Sequence, residues 1–228
     1  MYVHSIQFRP GTRGCQYLIE QLCLLEMENR KYTKSRRAEQ QDETRERIVE
    51  AAVKLHEALG PANTSIKAIA EEAGVQRLTV YRHFPDDVSL FQACTSHYLG
   101  LHPPPDMARW AEVVDASERS YTALTAVYRY YRQTEKMWRA GYRDVDQLEA
   151  LQGPMARFEA YLDLMSDDLV QAWNETGTAK KQLQDTLRHA LRFSTWHALK
   201  NAKLTDKKIA ELVQAWLAGI GKSGSGAP

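Results

Sequence analysis

The chain is poor in the residues that mark several classes of protein. Of its 228 residues, only three are cysteine, 12 are glycine and 8 are proline. Cys15, Cys23 and Cys94 form an odd set without paired or metal-like spacing, so the sequence predicts no disulfide framework and favours a reducing cytoplasm. No apolar run approaches the length of a membrane span, and we expect no membrane partner.

The sequence also lacks the short motifs of common enzyme classes. It contains no His-Glu-x-x-His, Gly-x-Ser-x-Gly or Cys-x-x-Cys. Neither His97 with His102 nor His189 with His197 has the four-residue spacing that places two imidazoles side by side on a helix. We therefore expect a protein that is not an enzyme and that holds neither a cofactor nor a metal.

Charge is nearly balanced, with 30 Lys and Arg against 29 Asp and Glu and a formal net charge of +1. Any affinity for nucleic acid must therefore come from local clustering of cations. Residues 30–47 provide such a cluster, and we expect Arg36 and Arg37 within it to approach DNA. We interpret residues 1–41 as a leader and basic arm without regular structure, with Met27 as an alternative protein start.

Helical periodicity runs through the rest of the chain, which predicts an all-α fold. Residues 42–101 are expected to form three helices and a connecting fourth helix. The run Pro103-Pro104-Pro105 interrupts the pattern and predicts a boundary near Leu101. Residues 102–220 are then expected to form a second helical domain, followed by a flexible tail over residues 221–228.

The most specific pattern lies between Thr64 and Pro85. Apolar residues recur there at the spacing of one helical face: Ile66, Ile69, Ala70 and Ala73. Gly74 can supply the left-handed conformation that ends a helix, and a second short run begins at Gln76. Two short helices joined in this way cross steeply, so the second can lie in the major groove of DNA. An αα-hairpin inside an ordinary helical core is the alternative.

The same residues resemble the DNA-binding signature of the tetracycline-repressor (TetR) family of bacterial transcription regulators. The resemblance extends from Glu43 to Leu101 and is carried by Ile69-Ala70, Ala73-Gly74-Val75 and Thr79-Val80-Tyr81-Arg82-His83-Phe84-Pro85. It implies an N-terminal helix-turn-helix domain followed by a helical domain for ligand binding and dimerisation. It further implies a homodimeric repressor that binds a double-stranded DNA operator and that a small molecule releases.

The resemblance also implies roles for individual residues. It gives base contacts to Lys67 and Arg77 and a contact with a thymine methyl group to Leu78. It gives phosphate contacts to three further residues, Thr79, Tyr81 and His83. Asp87 stands where the family usually has a lysine that reaches a phosphate, which implies either weaker operator affinity or a slightly displaced position on the DNA.

The second helical region is rich in aromatic side chains. A buried tyrosine or tryptophan needs a partner for its hydroxyl or indole N–H, and rings with a few polar tips are typical of small-molecule pockets. The alternative is that these aromatic residues simply form the hydrophobic core of the domain. Taken together, the aromatic side chains of this region favour a pocket for an apolar or aromatic ligand. The resemblance also implies a ligand pocket in this domain. We expect the pocket to be lined by Tyr121, Leu124, Tyr128, Tyr131, Trp138, Phe158 and Tyr161.

The last two helices have the pattern of an interface. Small residues repeat every four positions on a helix predicted from Thr178 to Lys200, and they leave a shallow strip for another helix: Ala190, Ser194 and Ala198. Trp196 adds bulk beside the strip, and Trp216 lies on the final helix. The resemblance implies that these helices pair across a two-fold axis. A monomer that buries both faces internally is the alternative.

Two other classes of function stay open at this level. One is a helical small-molecule-binding protein or enzyme that has lost DNA binding, which would bind its ligand without salt-sensitive affinity for DNA. The other is a helical interaction module, for which Asp87 is the main sequence indication.

Overall fold

A computed structural model of the chain describes Arg36, residues 38–220 with their side chains, and the backbone of residues 221–223. Within these residues all regular structure is helical, which confirms the all-α fold class. The predicted leader up to residue 35, including Met27, and Arg37 lie outside the described residues. None of the helices that the structure describes is long and apolar enough to cross a membrane.

The helices follow one another with short connections. In chain order they are α1 (38–59), α2 (Ile66–Glu72), α3 (Arg77–His83), α4 (Asp87–Leu101), α5 (Ala108–Ala111), α6 (Ala116–Asp144), α7 (Glu149–Ala172), α8 (Gly177–Leu191), α9 (Phe193–Asn201) and α10 (Asp206–Ser223). Single 3₁₀ turns lie at Pro61–Asn63 and Val145–Gln147. Residues 38–41 are already helical, before the predicted start at residue 42, and α10 continues past residue 220.

By its internal contacts the chain divides into two units, Met1–Arg47 and Ile48–Pro228. The described part of the first unit is the helical segment of residues 38–47 together with Arg36. The second unit contains the remaining helices, including both sides of the boundary predicted near Leu101, the residue at which α4 ends.

Two apolar cores lie within the second unit. The smaller core joins the part of α1 after Arg47 to α2, α3 and α4; its fully buried members include Ile48, Ala52, Ile69 and Val80. The larger core lies among α6, α7, α8, α9 and α10, with Leu124, Tyr128, Tyr131, Met165, Leu187 and Trp196 at its centre. Helix α4 contributes to both, because Leu90 and Cys94 belong to the smaller core and Phe91 to the larger.

The helix predicted from Thr178 to Lys200 is two helices. Arg192 separates α8 from α9 with an extended backbone, φ −70° and ψ 142°. Its guanidinium contacts the Glu159 carboxylate and lies 2.6 Å from Asp163 Oδ1, both on α7. These ion pairs, together with burial of Phe193 on the far side of the break, offset the loss of helical hydrogen bonding.

Glycine and proline often end helices but do not do so at two places in this chain, whereas two polar residues do cap helices. Gly141 lies inside α6, and Gly153-Pro154 lies inside α7. Helix α7 ends instead before Asn174, which adopts the left-handed conformation at φ 51°. Asp86 caps α4 by accepting a hydrogen bond from Ser89 N at 2.7 Å, and Thr205 caps α10 through Lys208 N at 3.3 Å.

Candidate nucleic-acid interface and ligand cavity

Helices α2 and α3 are joined by a tight turn built around Gly74. Ser65 begins α2 by accepting a hydrogen bond from Ala68 N at 3.1 Å. At the other end Val75 N donates to Ala70 O at 2.9 Å, and Gly74 N donates to Glu71 O at 3.2 Å. With Gly74 at φ 65°, these two bonds form a Schellman motif, which ends α2 and redirects the chain into α3.

Helix α3 presents one exposed face. Val80 is fully buried and anchors the helix, and Phe84 is buried just beyond its end. The opposite side exposes residues at positions one, two, five and six of the helix: Arg77, Leu78, Tyr81 and Arg82. We call these four residues the α3 face. Leu78 has 67% of its surface exposed.

The other predicted DNA-contacting residues border the α3 face. Thr79 and His83 are half-buried on α3, and Lys67 is exposed on α2 with its Nζ 3.7 Å from Glu71 Oε1. Within the described residues, neither Arg77 nor Arg82 has an ion pair or a side-chain hydrogen bond, so both guanidinium groups are available to an acceptor. Arg82, to which the resemblance gives no contact, lies on the same face as Arg77 and Leu78.

Two further positions singled out in the sequence differ in charge. Asp87 is exposed in the first turn of α4, where an anion suits the positive end of the helix dipole. In the first unit, Arg36 is helical and exposed, and its predicted companion Arg37 lies outside the described residues.

A cavity of about 350 Å³ lies in the second unit. Its wall is formed by the end of α1, by Pro61, by α4 and the segment after it, and by α6 and α7. The lining residues are Val53, His56, Pro61, Phe91, Cys94, Thr95, Tyr98, Leu99, Pro104, Met137, Trp138, Gly141, Leu151, Pro154, Met155, Arg157, Phe158 and Tyr161. The wall is predominantly apolar and aromatic, which is the composition of small-molecule sites.

Three of the predicted ligand residues line this cavity, namely Trp138, Phe158 and Tyr161. The other four pack in the larger core: Tyr121, Leu124, Tyr128 and Tyr131. The hydroxyl groups of Tyr128 and Tyr131 donate to Ala190 O at 2.9 Å and to Leu191 O at 2.7 Å. The aromatic stripe of α6 therefore meets α8 along its earlier turns and reaches the cavity only near Trp138.

Sequence reasoning missed the contribution of α4 and α1 to the cavity. The periodicity of α4 predicts only an apolar stripe for Phe91, Cys94 and Tyr98, yet all three line the cavity. The sequence does contain one signal that α4 has two buried sides. Leu90 and Phe91 are adjacent apolar residues, and adjacent side chains on a helix point in different directions, which indicates a core on each side.

His56 is buried, although a lone histidine on a helix is more often a surface or half-buried residue. It lines the cavity with only 4% of its surface exposed. Its ring stacks on Phe91, with the ring centroids 5.0 Å apart and the planes 8° from parallel. Burial lowers the pKa of His56 to about 4, and the opposing charge of Asp144 only partly offsets this effect. The imidazole is therefore neutral at physiological pH.

A set of hydrogen bonds joins the end of α6 to the connection after α1. Asp144 is almost fully buried and accepts from Ala62 N at 3.0 Å. Arg143 donates to Asp144 Oδ1 at 2.6 Å and to Leu59 O at 3.1 Å. Hydrogen bonding from Arg143 holds the pKa of Asp144 below its usual value. We call this group the α6 latch; it lies beside the cavity because Gly141 and Pro61 line the wall.

The predicted interface residues divide into two groups. Ala190 and Trp196 are fully buried within the chain, because the break at Arg192 turns α9 away from the line of α8. Ser194, Ala198 and Trp216 are exposed, as is Leu212 on α10. The indole N–H of Trp196 donates to Asp206 Oδ1 at 3.0 Å, so Trp196 fixes α10 against α9.

Comparison with known proteins finds similarity over part of the chain. The model of the bacterial regulatory proteins of the tetR family matches residues 48–94. The HTH-type transcriptional regulator SrpR of Pseudomonas putida is 36% identical over 85 residues, which cover 35% of this chain and 40% of SrpR. TtgW, also of Pseudomonas putida and described as an uncharacterized HTH-type transcriptional regulator, is 38% identical over 80 residues, 32% of this chain and 60% of TtgW. The matched region thus spans less than two thirds of either relative.

The fold extends beyond the matched residues. A TetR-like transcriptional regulator from Rhodococcus sp. RHA1 superposes with a TM-score of 0.58, covering 80% of this chain and 97% of that chain at 20% identity. At this identity the likeness concerns the fold alone. The likeness shows that the helices after α4 also follow the fold of the Rhodococcus protein.

Proposed function

We propose that the chain is a transcriptional repressor of the TetR family that a small apolar or aromatic ligand releases from operator DNA; the family model that matches residues 48–94 supports this proposal. The observation that carries the proposal is the position of α4. Leu90 and Cys94 of this helix pack into the core that supports α2 and α3, while Phe91, Cys94 and Tyr98 line the cavity. A molecule in the cavity therefore contacts the helix on which the DNA-binding helices rest.

The DNA side of the proposal rests on the α3 face. An arginine can donate two hydrogen bonds to guanine O6 and N7, and the exposed methyl groups of Leu78 can contact a thymine methyl. Tyr81 and the neighbouring residues Lys67, Thr79 and His83 then supply contacts that fix the register on the duplex. We include Arg82 in this surface because it is exposed beside Tyr81.

The ligand side requires a difference in affinity between two states. A ligand that binds equally to the DNA-bound and the released conformations does not change their populations. A ligand that prefers the released conformation weakens DNA binding, and DNA weakens binding of that ligand by the same factor. The cavity wall contains both Pro61, next to the α6 latch, and Phe91 of α4. Ligand binding can thus act on two connections between the cavity and the DNA-binding helices.

We propose that the protein is a homodimer that pairs through the exposed side of α9 and α10. Ser194, Ala198, Leu212 and Trp216 supply small and apolar surface there. A two-fold pair presents two α3 faces, which suits half-sites about 34 Å apart, one turn of DNA, or a multiple of that distance.

The test is fluorescence anisotropy with the DNA upstream of the protein's own gene, at several salt concentrations. Arg77→Ala is expected to cost about 1 to 3 kcal/mol on the specific site and to relax preference at one base pair. Arg139→Ala removes an equally exposed arginine on α6 and serves as the matched control. If wild-type protein shows no salt-sensitive DNA affinity but binds ligands in the cavity, the alternative of a small-molecule-binding protein without DNA binding replaces this proposal.

A further inference from the structure

The cavity has an uncharged interior and one charged residue in its described wall. Among the lining residues that the structure describes there is no aspartate or glutamate, and His56 is neutral because burial lowers its pKa to about 4. The charge belongs to Arg157 on α7, which is exposed to solvent. Because Arg157 both lines the cavity and is exposed, it lies at the mouth.

Arg157 has no carboxylate partner within the described part of the chain. No ion pair or side-chain hydrogen bond involves it there. The residues one helical turn away carry no charge at neutral pH: Gly153, Pro154, Ala160 and Tyr161. The ion-paired carboxylates of α7 contact arginines of neighbouring elements instead: Glu159, Asp163, Asp167 and Asp168. The Arg157 guanidinium is therefore available to an anion from outside the chain.

The absence of a side chain at Gly153 leaves room for this guanidinium beside the wall. A Cβ added at Gly153 would lie 3.5 Å from Arg157 Nη1, so the guanidinium lies against the preceding turn of α7. Pro154, the next residue along that turn, lines the cavity. The positive charge is thus held next to the apolar wall at the mouth.

The surrounding carboxylates restrict where an anion can bind. Three of them act electrostatically on the lining residues Tyr98, Tyr161 and His56 without lining the described wall themselves: Glu57, Asp106 and Asp144. Their negative charge disfavours an anion deep in the cavity, and so does the loss of hydration that burial brings. An anionic group is therefore favoured only at the mouth, where it keeps its contact with water and meets Arg157.

The interior suits an aromatic ring. Phe158, the residue after Arg157, stacks on Trp138 with centroids 3.8 Å apart and planes 25° from parallel. The stacked pair of His56 and Phe91 provides further ring surface in the same wall. A volume of about 350 Å³ lies at the lower end of the range for small-molecule sites, roughly 300 to 1,000 Å³.

We propose that the effector is a small aromatic molecule with one carboxylate, whose ring occupies the cavity and whose carboxylate pairs with Arg157 at the mouth. Two guanidinium N–H groups can donate to the two carboxylate oxygens, a geometry that neither a neutral amide nor a cation reproduces. The pair stays in contact with water, so it avoids the cost of a fully buried charge. This inference rests on the ligand site of the proposed function and narrows its chemistry.

The experiment compares three planar probes of nearly equal shape by calorimetry on the full chain. At neutral pH 2-naphthoate is an anion, 2-naphthamide is neutral and 2-naphthamidine is a cation. At low salt, wild-type protein is expected to bind naphthoate about 2- to 5-fold more tightly than naphthamide, the range of an exposed ion pair, and to bind naphthamidine most weakly. Added salt should reduce these differences. If naphthoate does not bind, or binds no more tightly than naphthamide, the inference is wrong.

Variants of Arg157 locate the effect. In Arg157→Gln, naphthoate is expected to lose its advantage over naphthamide. In Arg157→Glu the order is expected to reverse, with naphthamidine bound most tightly. Arg139→Glu is the matched control, because Arg139 is an exposed arginine on α6 that does not line the cavity, and it should keep the wild-type order. An unchanged order in Arg157→Glu, or a reversed order in Arg139→Glu, would overturn the assignment to Arg157.

The outcomes separate this inference from the function on which it rests. Anisotropy with operator DNA is measured on the same preparations. DNA binding without discrimination between naphthoate and naphthamide would refute the ligand class and leave the regulator intact. Discrimination that depends on Arg157 without DNA binding would refute the regulator and support the ligand class.

Discussion

At the scale of single residues, His56 makes the stability of the protein depend on pH. Its folded-state pKa of about 4 lies below the usual value of 6.5. Between these values the unfolded chain binds a proton that the folded chain does not, so stability rises with pH in this window and falls on acidification. Below about pH 4 the folded histidine also protonates, and its contribution stops changing.

We expect acidification from about pH 7 to about pH 5 to remove about 2 kcal/mol of stability through His56 alone. Urea unfolding followed by circular dichroism at the two pH values measures this loss. His56→Gln should lose less on acidification, and His102→Gln, which replaces an exposed histidine, should behave as wild type. Asp144 does not contribute in this window, because its lowered pKa confines its effect to the range below about 4. An equal pH dependence in wild type and His56→Gln would contradict the burial of a neutral imidazole.

Asp87 is the second residue with a predicted phenotype. It is exposed at the start of α4, where an added cation would approach a DNA backbone lying on the α3 face. Asp87→Lys is expected to steepen the slope of log affinity against log salt by about 0.9 for each additional phosphate that the protein neutralises, or about 1.8 per dimer. Anisotropy over a salt series measures the slope. An unchanged slope would place the start of α4 away from the backbone.

At the scale of elements, Gly60 shows how the connection after α1 depends on the α6 latch. Gly60 has φ 92°, and a Cβ added there would overlap the Arg143 guanidinium and lie 2.6 Å from Asp144 Oδ2. Gly74 has a similar φ of 65°, but a Cβ there would meet nothing within 4 Å. The two glycines differ both in the neighbouring latch and in backbone, because Gly60, with ψ 153°, lies in a region that essentially only glycine adopts, whereas Gly74 ends a helix in the left-handed conformation.

Gly74→Ala is therefore expected to cost about 1 kcal/mol from backbone strain alone, and Gly60→Ala about 2 to 3 kcal/mol from strain and displacement of Arg143. Chemical unfolding of both variants provides the comparison. Similar costs would contradict both the stronger backbone strain at Gly60 and the displacement of Arg143. If Gly60→Ala also changes ligand affinity while Gly74→Ala does not, the latch participates in the response to ligand.

At this same scale the sequence predicts some features well and others not at all. The helix-turn-helix is local, because Ser65, Gly74 and Val80 act within a few residues of their own positions, and its prediction agrees with the structure. The break between α8 and α9 depends on ion pairs from Arg192 to α7. The helical periodicity of the sequence does not reveal these ion pairs, because Arg192 and its partners on α7 are distant in sequence.

The cavity is predicted only in part for a related reason. The sequence places Trp138, Phe158 and Tyr161 in its wall but not His56, Phe91 and Met155. Periodicity tells which residues of a helix are buried, but not which neighbouring helix buries them. The tyrosines of α6 satisfy their hydroxyl groups on backbone carbonyls of α8, and that pairing is visible only in three dimensions.

At the scale of the whole molecule, the proposed dimer predicts a charge-sensitive surface. Ala198→Glu combined with Trp216→Glu would place carboxylates on the exposed side of α9 and α10, where a partner helix would have to bury them. We expect this variant to sediment as a monomer and to lose operator affinity. Ala190 is unsuitable for the test, because it is fully buried inside the chain and its replacement would disturb folding.

The matched control places the same charges elsewhere. Val114→Glu with Leu164→Glu also replaces two exposed apolar residues, which are 95% and 60% exposed and lie outside α9 and α10. This variant is expected to remain dimeric. A dimer that survives the first pair of substitutions would locate the interface on another surface.

Because α4 forms part of two cores, it also limits the routes by which the protein can evolve. A substitution at Cys94 that reshaped the cavity would also repack the core beneath the DNA-binding helices, so a change in effector preference would be linked to a change in operator affinity. Met155 and Phe158 on α7 line the cavity without entering that smaller core. New effector specificities are therefore expected to arise first through α7, and homologues that respond to different molecules should diverge there while α4 changes slowly.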